Sequence, residues 1–568
     1  MSLDLFSVKR RTYASVIYVL IPLILSAFMH LWNPVGFPLV DQDEGHYMRR
    51  AMQVMEGLGP QDLGYVHPYD HPYFGQIFLA SVLYVIGYPD VLQPKVGDIH
   101  SIEMLYLIPR VLMGVLAVID TFLVYKIAET RYNRKVAFIA ATLFAVMPFT
   151  WILRRGILDS IQLPLILLSI LFALHARNST PPKVAYSNKN VRYAPQYLNI
   201  LTILLSGIFL GLAIFMKIPA FSIVPFIAFI YAYNKNFKAL GLWFVPVILI
   251  PTIWPAYAIS QGQFDEWLDG VVWQTGRLGR PLLNEMETIF SKIDPLLLAL
   301  AIIGLVYARI KRDYFLLLWT IPYLIILFLV DWVYFFHFIL VFPAFCIAIA
   351  LLFTDLGKIK FKAKIVRPLI FSIIGVIIVF GSINSIMLIT TNLNSSYFSL
   401  VSHISRHLPN QDGNNNNLNN YNGYKNGNNY GNNTVTLVGP NGGWSFFWLI
   451  KYVFDRDVDY EWFELGVDYI KGPIKSEKFL LMVDREMRYA IFFTNSTDKR
   501  QVSQVKMLYD NSTPLDYFFG DTLRYNLDKY PYTNVVDDID VPREVIRTRG
   551  VDWTTPIEIR ANYWERQS

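Results

Sequence analysis

Three carboxylates stand close together just after the first apolar segment of the chain, in the sequence Asp41-Gln42-Asp43-Glu44. Carboxylates can remove a proton from a reacting hydroxyl or hold a divalent cation. Near a bilayer such a cluster costs free energy unless it is hydrated, paired or used in function. A fourth acid, Asp159, lies at the end of a later apolar segment. The acids therefore predict a catalytic or metal-binding site at one face of a membrane.

The composition is that of a protein that lies mostly in a membrane. Of the 568 residues, 54% are hydrophobic and 17% are charged, and the mean hydropathy is +0.35. A soluble domain carries about a quarter charged residues, so we expect a polytopic membrane protein. The net charge of +6 follows from basic loops and does not indicate a nucleic-acid partner. The single cysteine, Cys346, excludes an intrachain disulfide.

About 20 consecutive apolar residues are needed to cross a bilayer as a helix, and this criterion predicts about eleven transmembrane helices. Positively charged loops stay on the cytoplasmic side, and six basic clusters fall on one side when the N-terminus is cytoplasmic. We therefore expect a multi-pass cell-membrane protein whose C-terminal part is extracytoplasmic. The apolar stretch 77–88 is an alternative re-entrant or interfacial helix. The predicted spans are 13–31, 105–128, 136–153, 160–176, 197–215, 218–233, 239–259, 293–309, 314–331, 333–354 and 366–390.

The predicted topology divides the chain into three parts. Residues 1–392 form the transmembrane catalytic part, in which 32–104 is the first external loop. Residues 393–433 form a linker that contains a run rich in asparagine and glycine, which is flexible by composition. Residues 434–568 alternate short apolar strands with helical stretches and predict a small extracytoplasmic α/β domain. The strands are expected at 434–438, 479–483 and 489–494, and a helix is expected at 444–454.

The predicted position of the acids restricts the reaction. Asp-x-Asp motifs are common in glycosyltransferases, where carboxylates hold a metal ion or activate a hydroxyl. Nucleotide sugars are not available outside the cytoplasm. A sugar transferase whose acids face outward therefore needs a donor that is made inside and then flipped, and a polyprenyl-phosphate sugar meets that need.

The chain resembles the GT-C glycosyltransferases, and among them glycosyltransferase family 39, the protein O-mannosyltransferase and aminoarabinose transferase group. The similar segments lie in the family's order over residues 10–355. One departure is Tyr73, which stands where the family's His-Pro-Pro-Leu-Gly segment has its second proline. The segments are Asp43-Glu44-x-x-Tyr47, Tyr69-Asp70-His71-Pro72-Tyr73-Phe74-Gly75, Arg154-Arg155-Gly156-Ile157-Leu158-Asp159, Gly207-x-x-x-Gly211-Leu212-Ala213-x-x-x-Lys217, and His337 to Pro343.

The resemblance implies a role for each matching residue. Asp43 is the implied base or orienting acid for the acceptor hydroxyl, and Glu44 supports it. Asp159 faces Asp43 from the second external loop and binds the acceptor, a metal ion or a basic neighbour. The fold that the resemblance implies is a helical transmembrane domain of the GT-C type. Lys217 is implied to bind the donor phosphate, with Arg154 or Arg155 assisting. The full set of implied donor and substrate ligands is Tyr47, His71, Lys217, Arg154 and Arg155.

The implied reaction is the transfer of a sugar, mannose in the first place, with inversion at the anomeric carbon. The donor is a polyprenyl-phosphate or dolichyl-phosphate sugar, and the acceptor is a hydroxyl of a protein or glycolipid on the extracytoplasmic face. No cofactor is expected to be obligatory. A magnesium or manganese ion held by Asp41, Asp43 and Asp159, with His71, remains an alternative.

Two other functions stay open at this stage. An oligosaccharyltransferase, or another GT-C enzyme that modifies lipids or glycans, also has acids in its first external loop. The Trp-Trp-Asp-Tyr-Gly motif of oligosaccharyltransferases has no match here, the nearest strings being Asp331-Trp332-Val333-Tyr334 and Val551-Asp552-Trp553. A transporter or scaffold is the other alternative, but a transporter typically has internal repeats and acids near the bilayer midplane.

Each candidate residue also has a purely structural interpretation. The acids of the first loop can be hydrated loop residues without a function, and the basic residues can be anchors at the membrane surface. The structural interpretations are hydrated acids at Asp41, Asp43 and Glu44, an ion pair of Asp159 with Arg154 or Arg155, a snorkelling Lys217, a turn histidine at His71, and a packed helix histidine at His337.

Overall fold

The structure is a computed structural model, in which most of the chain is helical and five strands form one small sheet. It describes residues 2–61, 67–178, 196–233, 235–277, 281–288, 294–330, 332–358, 366–390, 392, 394–410, 435–440, 444–463, 478–483, 487, 499–518 and 557–562. The helices are α1 (Ser2–Leu31), α2 (Gln42–Met55), α3 (Phe74–Val85), α4 (Ile99–Arg131), α5 (Arg134–Val146), α6 (Leu158–Asn178), α7 (Gln196–Met216), α8 (Val224–Tyr233), α9 (Phe237–Leu249), α10 (Ile253–Ser260), α11 (Phe264–Thr275), α12 (Leu282–Thr288), α13 (Pro295–Ile310), α14 (Tyr314–Leu329), α15 (Phe342–Leu356), α16 (Val366–Ile389), α17 (Ser395–His407), α18 (Trp444–Trp448) and α19 (Lys499–Asp510).

Four helical segments among the described residues are long and apolar enough to cross a membrane. A fifth results if α5 and the 3₁₀ turn Pro148–Arg154, bent by 68° relative to it, are one broken span. The other apolar helices are shorter, and together the helices lie at all the predicted spans. The count of eleven spans stays a prediction. The four long segments are Ile99–Arg131, Leu158–Ala176, Phe237–Ser260 and Pro368–Ile389.

Helix α7 ends at Met216, immediately before the predicted site residue Lys217. Lys217 is extended, with φ −155° and ψ 122°, and the chain continues as the 3₁₀ turn Ile218–Ile223. Pro219 favours this break, because a proline has no N–H to continue the α-helix and its ring clashes with the carbonyl four residues before it. The side-chain amide of Gln162 on α6 donates to the carbonyls of Ala213 (2.8 Å) and Lys217 (2.7 Å). The break therefore holds Lys217 beside α6.

Helix α2 carries the acidic motif and is a buried polar helix. Asp41 caps it, because its carboxylate accepts from the N–H of Asp43 (3.0 Å) and its own N–H donates to the Glu44 carboxylate (3.0 Å). This reciprocal arrangement is a capping box and fixes the first turn. The residues from Glu44 to Gln53 are buried. The interpretation of Glu44 as a hydrated loop acid is therefore wrong.

The C-terminal strands form one mixed sheet in the order β2-β1-β3-β5-β4. The first three strands of that order are parallel, while β5 is antiparallel to β3 and to β4. The predicted strands 434–438 and 479–483 correspond to β1 and β3, and the predicted helix at 444–454 is α18 with its π-helical continuation Leu449–Val453. The predicted strand 489–494 and linker run 411–433 lie outside the described residues. The strands are β1 (Val435–Pro440), β2 (Val458–Phe463), β3 (Phe479–Val483), β4 (Thr513–Phe518) and β5 (Ile557–Ala561).

The C-terminal part packs directly against α2. The buried amide of Gln53 on α2 donates to the hydroxyl of Tyr452 (3.1 Å). The hydroxyl of Tyr106 on α4 donates to the carbonyl of Ser445 (2.5 Å), and the Tyr106 ring packs against Trp448. These contacts support the helix that carries the acids. The predicted domain bounds at 392 and 433 stay predictions.

Candidate active site

Glu44 joins three segments of the site, and both of its carboxylate oxygens are engaged in these contacts, so it is not available for proton transfer. Its carboxylate binds the Arg110 guanidinium through two contacts of 3.1 and 2.6 Å, and it accepts from the N–H of Gly156 (2.8 Å). Burial alone would raise the pKa of Glu44, but the charge and hydrogen bonds of Arg110, the charge of Arg155 and the hydrogen bond from Gly156 together outweigh burial and lower the pKa. Glu44 is therefore ionised and ties α2 to α4 and to the turn before α6.

The two arginines of that turn are occupied by neighbouring groups. Arg155 lies 2.9 Å from the Asp41 carboxylate. The buried guanidinium of Arg154 donates to the backbone carbonyls of Trp32 and Asn33. Both contacts hold the end of α1 and the start of α2 against the turn. Their predicted role as ligands of the donor phosphate stays a prediction.

Asp159 and Lys217 form a buried ion pair. The Lys217 ammonium lies 2.7 Å from one Asp159 oxygen, and both side chains are less than a tenth exposed. The structure thus brings together two predicted site residues, but Asp159 pairs with Lys217 instead of with Arg154 or Arg155. The ammonium also lies 5.1 Å from the ring of Phe336. Because this ammonium is buried, the snorkelling interpretation of Lys217 is wrong.

Asp43 differs from the other acids in its charge environment. In the described part of the chain, no basic side chain forms an ion pair with it. Burial and the adjacent negative charge of Asp41 raise the pKa of Asp43 from 3.8 to about 7, against the opposing effects of Lys217 and Arg277. A carboxylate with a pKa near neutrality accepts a proton much more readily than an ordinary aspartate. This is the property that a general base requires.

Tyr47 lies one helical turn after Asp43 and is buried. Burial, and then the charge of Asp43, raise the pKa of Tyr47 well above its ordinary value, so the phenol stays protonated. The charge of Asp159 acts on the same phenol. Tyr47 is therefore a neutral hydroxyl near the acids of the site, and its role as a substrate ligand stays a prediction.

His71 is fixed in a network that starts on α2. Asp70 accepts from Arg50 (2.9 Å), its second oxygen lies 2.9 Å from His71 Nδ1, and His71 Nε2 lies 2.9 Å from the Gln274 amide nitrogen. Burial, with the charges of Arg50 and Lys217, lowers the pKa of His71 although Asp70 raises it, so the imidazole is neutral. Its contacts fit the turn-histidine interpretation, and its role as a substrate ligand stays a prediction.

Helix α11 closes the site from the loop 260–292. Gly270 allows it to approach closely, because a Cβ at this position would lie 2.8 Å from the backbone of Tyr69. Just after the helix, the Arg277 guanidinium lies 3.9 Å from the ring of Trp273 and 5.6 Å from that of Trp332. Its charge acts on both Asp43 and Asp70. The half-buried cation that follows this helix thus lies within electrostatic reach of the Asp43 carboxylate.

The sequence did not lead us to predict Arg277 or Arg110 as site residues, and it favoured a packed helix histidine at His337. His337 lies within electrostatic reach of Lys217, His71 and Arg277, and so belongs to the site. Arg110 stood inside a predicted span, and a charged residue there indicates a function or a buried partner. That signal alone was sufficient to select it. Arg277 had no comparable signal in the sequence.

The carboxylates do not fit a divalent cation as they are arranged here. Magnesium and manganese require several oxygen ligands that converge on one point. Asp41 instead faces Arg155, and Asp159 faces Lys217. Among the residues that the structure describes, no three His, Cys, Asp or Glu side chains are placed to hold a metal ion. We therefore derive no chemical step through a metal.

The fold is similar to that of an archaeal oligosaccharyltransferase. No known family model and no curated protein sequence matches the chain. The oligosaccharyltransferase of Archaeoglobus fulgidus in its apo form matches with a TM-score of 0.54 and 15% identity, over 78% of this chain and 64% of that one. The same enzyme in complex with an inhibitory peptide and a dolichol-phosphate matches with a TM-score of 0.55 and 13% identity, over 90% and 74%.

ArnT from Cupriavidus metallidurans, bound to undecaprenyl phosphate, matches with a TM-score of 0.47 and 11% identity, over 86% of this chain and 97% of that one. At these identities the similarity concerns the fold. The mostly helical fold, with several helices long and apolar enough to cross a membrane, agrees with the predicted helical class. Family 39 in particular, the orientation in the membrane and the number of spans stay predictions.

Proposed function

We propose that the protein is a membrane glycosyltransferase that moves a sugar from a polyprenyl-phosphate or dolichyl-phosphate donor to an acceptor hydroxyl on the extracytoplasmic face. The observation that carries this proposal is the environment of Asp43. Its pKa is raised to about 7, while the flanking acids are held by Arg155, Arg110 and Lys217. The cluster therefore contains one carboxylate suited to accept a proton, with the other acids tied to cations.

In the proposed reaction, Asp43 takes the proton of the acceptor hydroxyl as its oxygen attacks the anomeric carbon of the sugar. The bond between that carbon and the phosphate oxygen breaks, and the polyprenyl phosphate leaves with the electron pair. A single displacement of this kind inverts the configuration. The neutral Tyr47 hydroxyl, one turn along α2, is positioned to orient the acceptor or the sugar.

The leaving phosphate gains negative charge, so a cation beside it stabilises the transition state. We assign this role first to Arg277, because Lys217 shares its charge with Asp159 at 2.7 Å. Lys217 then acts on the phosphate at longer range, through the electrostatic field of its ion pair with Asp159. A protein of the same fold, the A. fulgidus oligosaccharyltransferase, is known in complex with a dolichol-phosphate, which makes this class of donor compatible with the fold. Mannose is the proposed sugar, and a protein or glycolipid the proposed acceptor.

The second candidate is transfer to an asparagine amide, because the similar structures include an oligosaccharyltransferase. The nitrogen of an amide is a poor nucleophile, because its lone pair is delocalised into the carbonyl group. The same resonance gives the amide C–N bond a rotation barrier of about 18–20 kcal/mol. Freeing that lone pair needs acids that bind the amide. Asp41 and Asp159 are occupied by Arg155 and Lys217, so the described arrangement favours a hydroxyl acceptor.

The purified protein in detergent or nanodiscs should be tested with polyprenyl-phosphate mannose and polyprenyl-phosphate glucose. The acceptors are a peptide rich in serine and threonine, a peptide with an Asn-x-Thr sequence, and a glycolipid extract, with the products read by mass spectrometry. We expect the sugar on a hydroxyl acceptor. Sugar found on the asparagine peptide alone would favour the second candidate, and no transfer from either donor to any acceptor would refute the proposed donor and acceptor classes.

A further inference from the structure

The imidazole of His337 is held in one tautomer by the backbone. Its Nδ1 accepts from the N–H of Tyr334 (3.1 Å). Its carbonyl accepts from the hydroxyl of Tyr323 on α14 (2.6 Å), which fixes the main chain at the start of the 3₁₀ turn Phe335–Leu340. A ring nitrogen that accepts a hydrogen bond carries no proton, and in a neutral imidazole the other nitrogen then does. His337 therefore presents an Nε2–H donor.

The surroundings of His337 direct it toward an anion. Two cations, Lys217 and Arg277, lie within its electrostatic reach. Protonation of Nδ1 would remove its hydrogen bond from Tyr334. The side chain is half-buried, and no acceptor for Nε2 is found in the described ranges. A neutral donor beside two cations favours an oxygen that carries negative charge.

We propose that the Nε2–H of His337 donates a hydrogen bond to the phosphate of the lipid-linked donor, on the side of the site where Arg277 lies. The inference rests on the proposed function and deepens it by assigning a phosphate ligand. The ring of Phe336 lies 4.8 Å from the His337 ring and 5.1 Å from the Lys217 ammonium. Lys217 and His337 thus both lie against the ring of Phe336.

Two substitutions separate this role from a purely structural one. His337→Asn keeps an acceptor near the position of Nδ1, so it retains the bond from Tyr334 but loses the Nε2 donor. His337→Gln places an amide N–H near the position of Nε2 and loses the acceptor for the backbone. If His337 only caps the 3₁₀ turn, asparagine is the better replacement. If it binds phosphate, glutamine is the better one.

The test measures the affinity of full-length wild-type protein and both variants for dolichyl phosphate and for dolichol, in the same detergent. The difference between the two lipids isolates the contribution of the phosphate. We expect His337→Asn to bind dolichyl phosphate at least about tenfold more weakly and His337→Gln to stay within a few-fold of wild type. The affinity for dolichol should not change in either variant, and thermal unfolding confirms that both are folded.

The other outcomes overturn the inference. If His337→Asn binds like wild type, or if His337→Gln is the weaker variant, His337 has a role in the turn alone. Equal losses for dolichyl phosphate and dolichol show a general structural defect. A wild-type protein that does not prefer dolichyl phosphate or undecaprenyl phosphate to the matching alcohol contradicts the proposed donor class itself. If instead the wild-type protein prefers the lipid phosphate and both variants keep this preference, only the assignment of His337 is contradicted.

Discussion

Replacement of Asp43 by asparagine tests the site most directly. Asparagine keeps the size of the side chain and loses its charge and most of its basicity. The N–H of residue 43 still donates to Asp41, so the cap of α2 is retained. General-base catalysis is worth about 10²–10⁴ in rate. We expect kcat to fall at least about a hundredfold while the affinity for the donor stays near that of wild type.

The same substitution should not destabilise the protein. The pKa of Asp43 is raised in the folded state from 3.8 to about 7, so the folded protein binds more protons than the unfolded chain between these values. Stability is therefore lost as pH rises through this range. At about 1.4 kcal/mol per pKa unit, the full penalty above pH 7 has an upper limit of about 4 kcal/mol. Asp43 is partly exposed, and solvent screening reduces this figure, so we expect Asp43→Asn to gain about 1–2 kcal/mol at pH 8.

The assay compares wild type, Asp43→Asn and Asp41→Asn by turnover between pH 5 and 9 and by thermal unfolding in detergent. Wild-type turnover should rise about tenfold per pH unit and level off above about pH 7. Asparagine remains a good helix cap, so Asp41→Asn should lose much less activity. It removes a charge that raises the pKa of Asp43, so its profile should level off at lower pH. Near-normal turnover by folded Asp43→Asn would refute the assignment of the base, and equal losses at both positions would favour a shared metal site.

Three further predictions concern the basic residues and the topology. Lys217→Met should lower the free energy of unfolding by about 3–5 kcal/mol, because it leaves Asp159 buried and unpaired. The double variant with Asp159→Leu should recover most of this loss. An unchanged melting temperature in the single variant would contradict the burial argument. Arg277→Gln should raise the KM for the donor at least about tenfold without a change in thermal unfolding, and Arg277→Lys should be intermediate; an unchanged KM removes Arg277 from the phosphate site. A reporter fused after Asn392 should be external and one after Lys235 cytoplasmic, and an external signal at Lys235 would overturn the predicted orientation.

The sequence was sufficient to predict the fold class and the positions of the acids, because both depend on local patterns. Long apolar segments specify helices in a bilayer, and the capping box of α2 is contained in four consecutive residues. The partners of the acids were not predictable in the same way. Asp159 pairs with Lys217, 58 residues later, and this pairing depends on where α7 breaks and how it packs on α6. Arg277 reaches the site only because Gly270 lets α11 approach the Tyr69 backbone.

The geometry of α2 explains how two adjacent acids serve different purposes. Consecutive helical residues point about 100° apart, so when Glu44 faces Arg110 on α4, Asp43 faces the side where Asp159 and Tyr47 lie. The cap at Asp41 fixes the rotation of the first turn, and the bidentate bond from Arg110 fixes it a second time. Glu44 takes the full charge of one guanidinium and becomes a permanent anion. Asp43 has no such ion pair among the described residues, and burial together with the negative charge of Asp41 makes it basic enough to accept a proton.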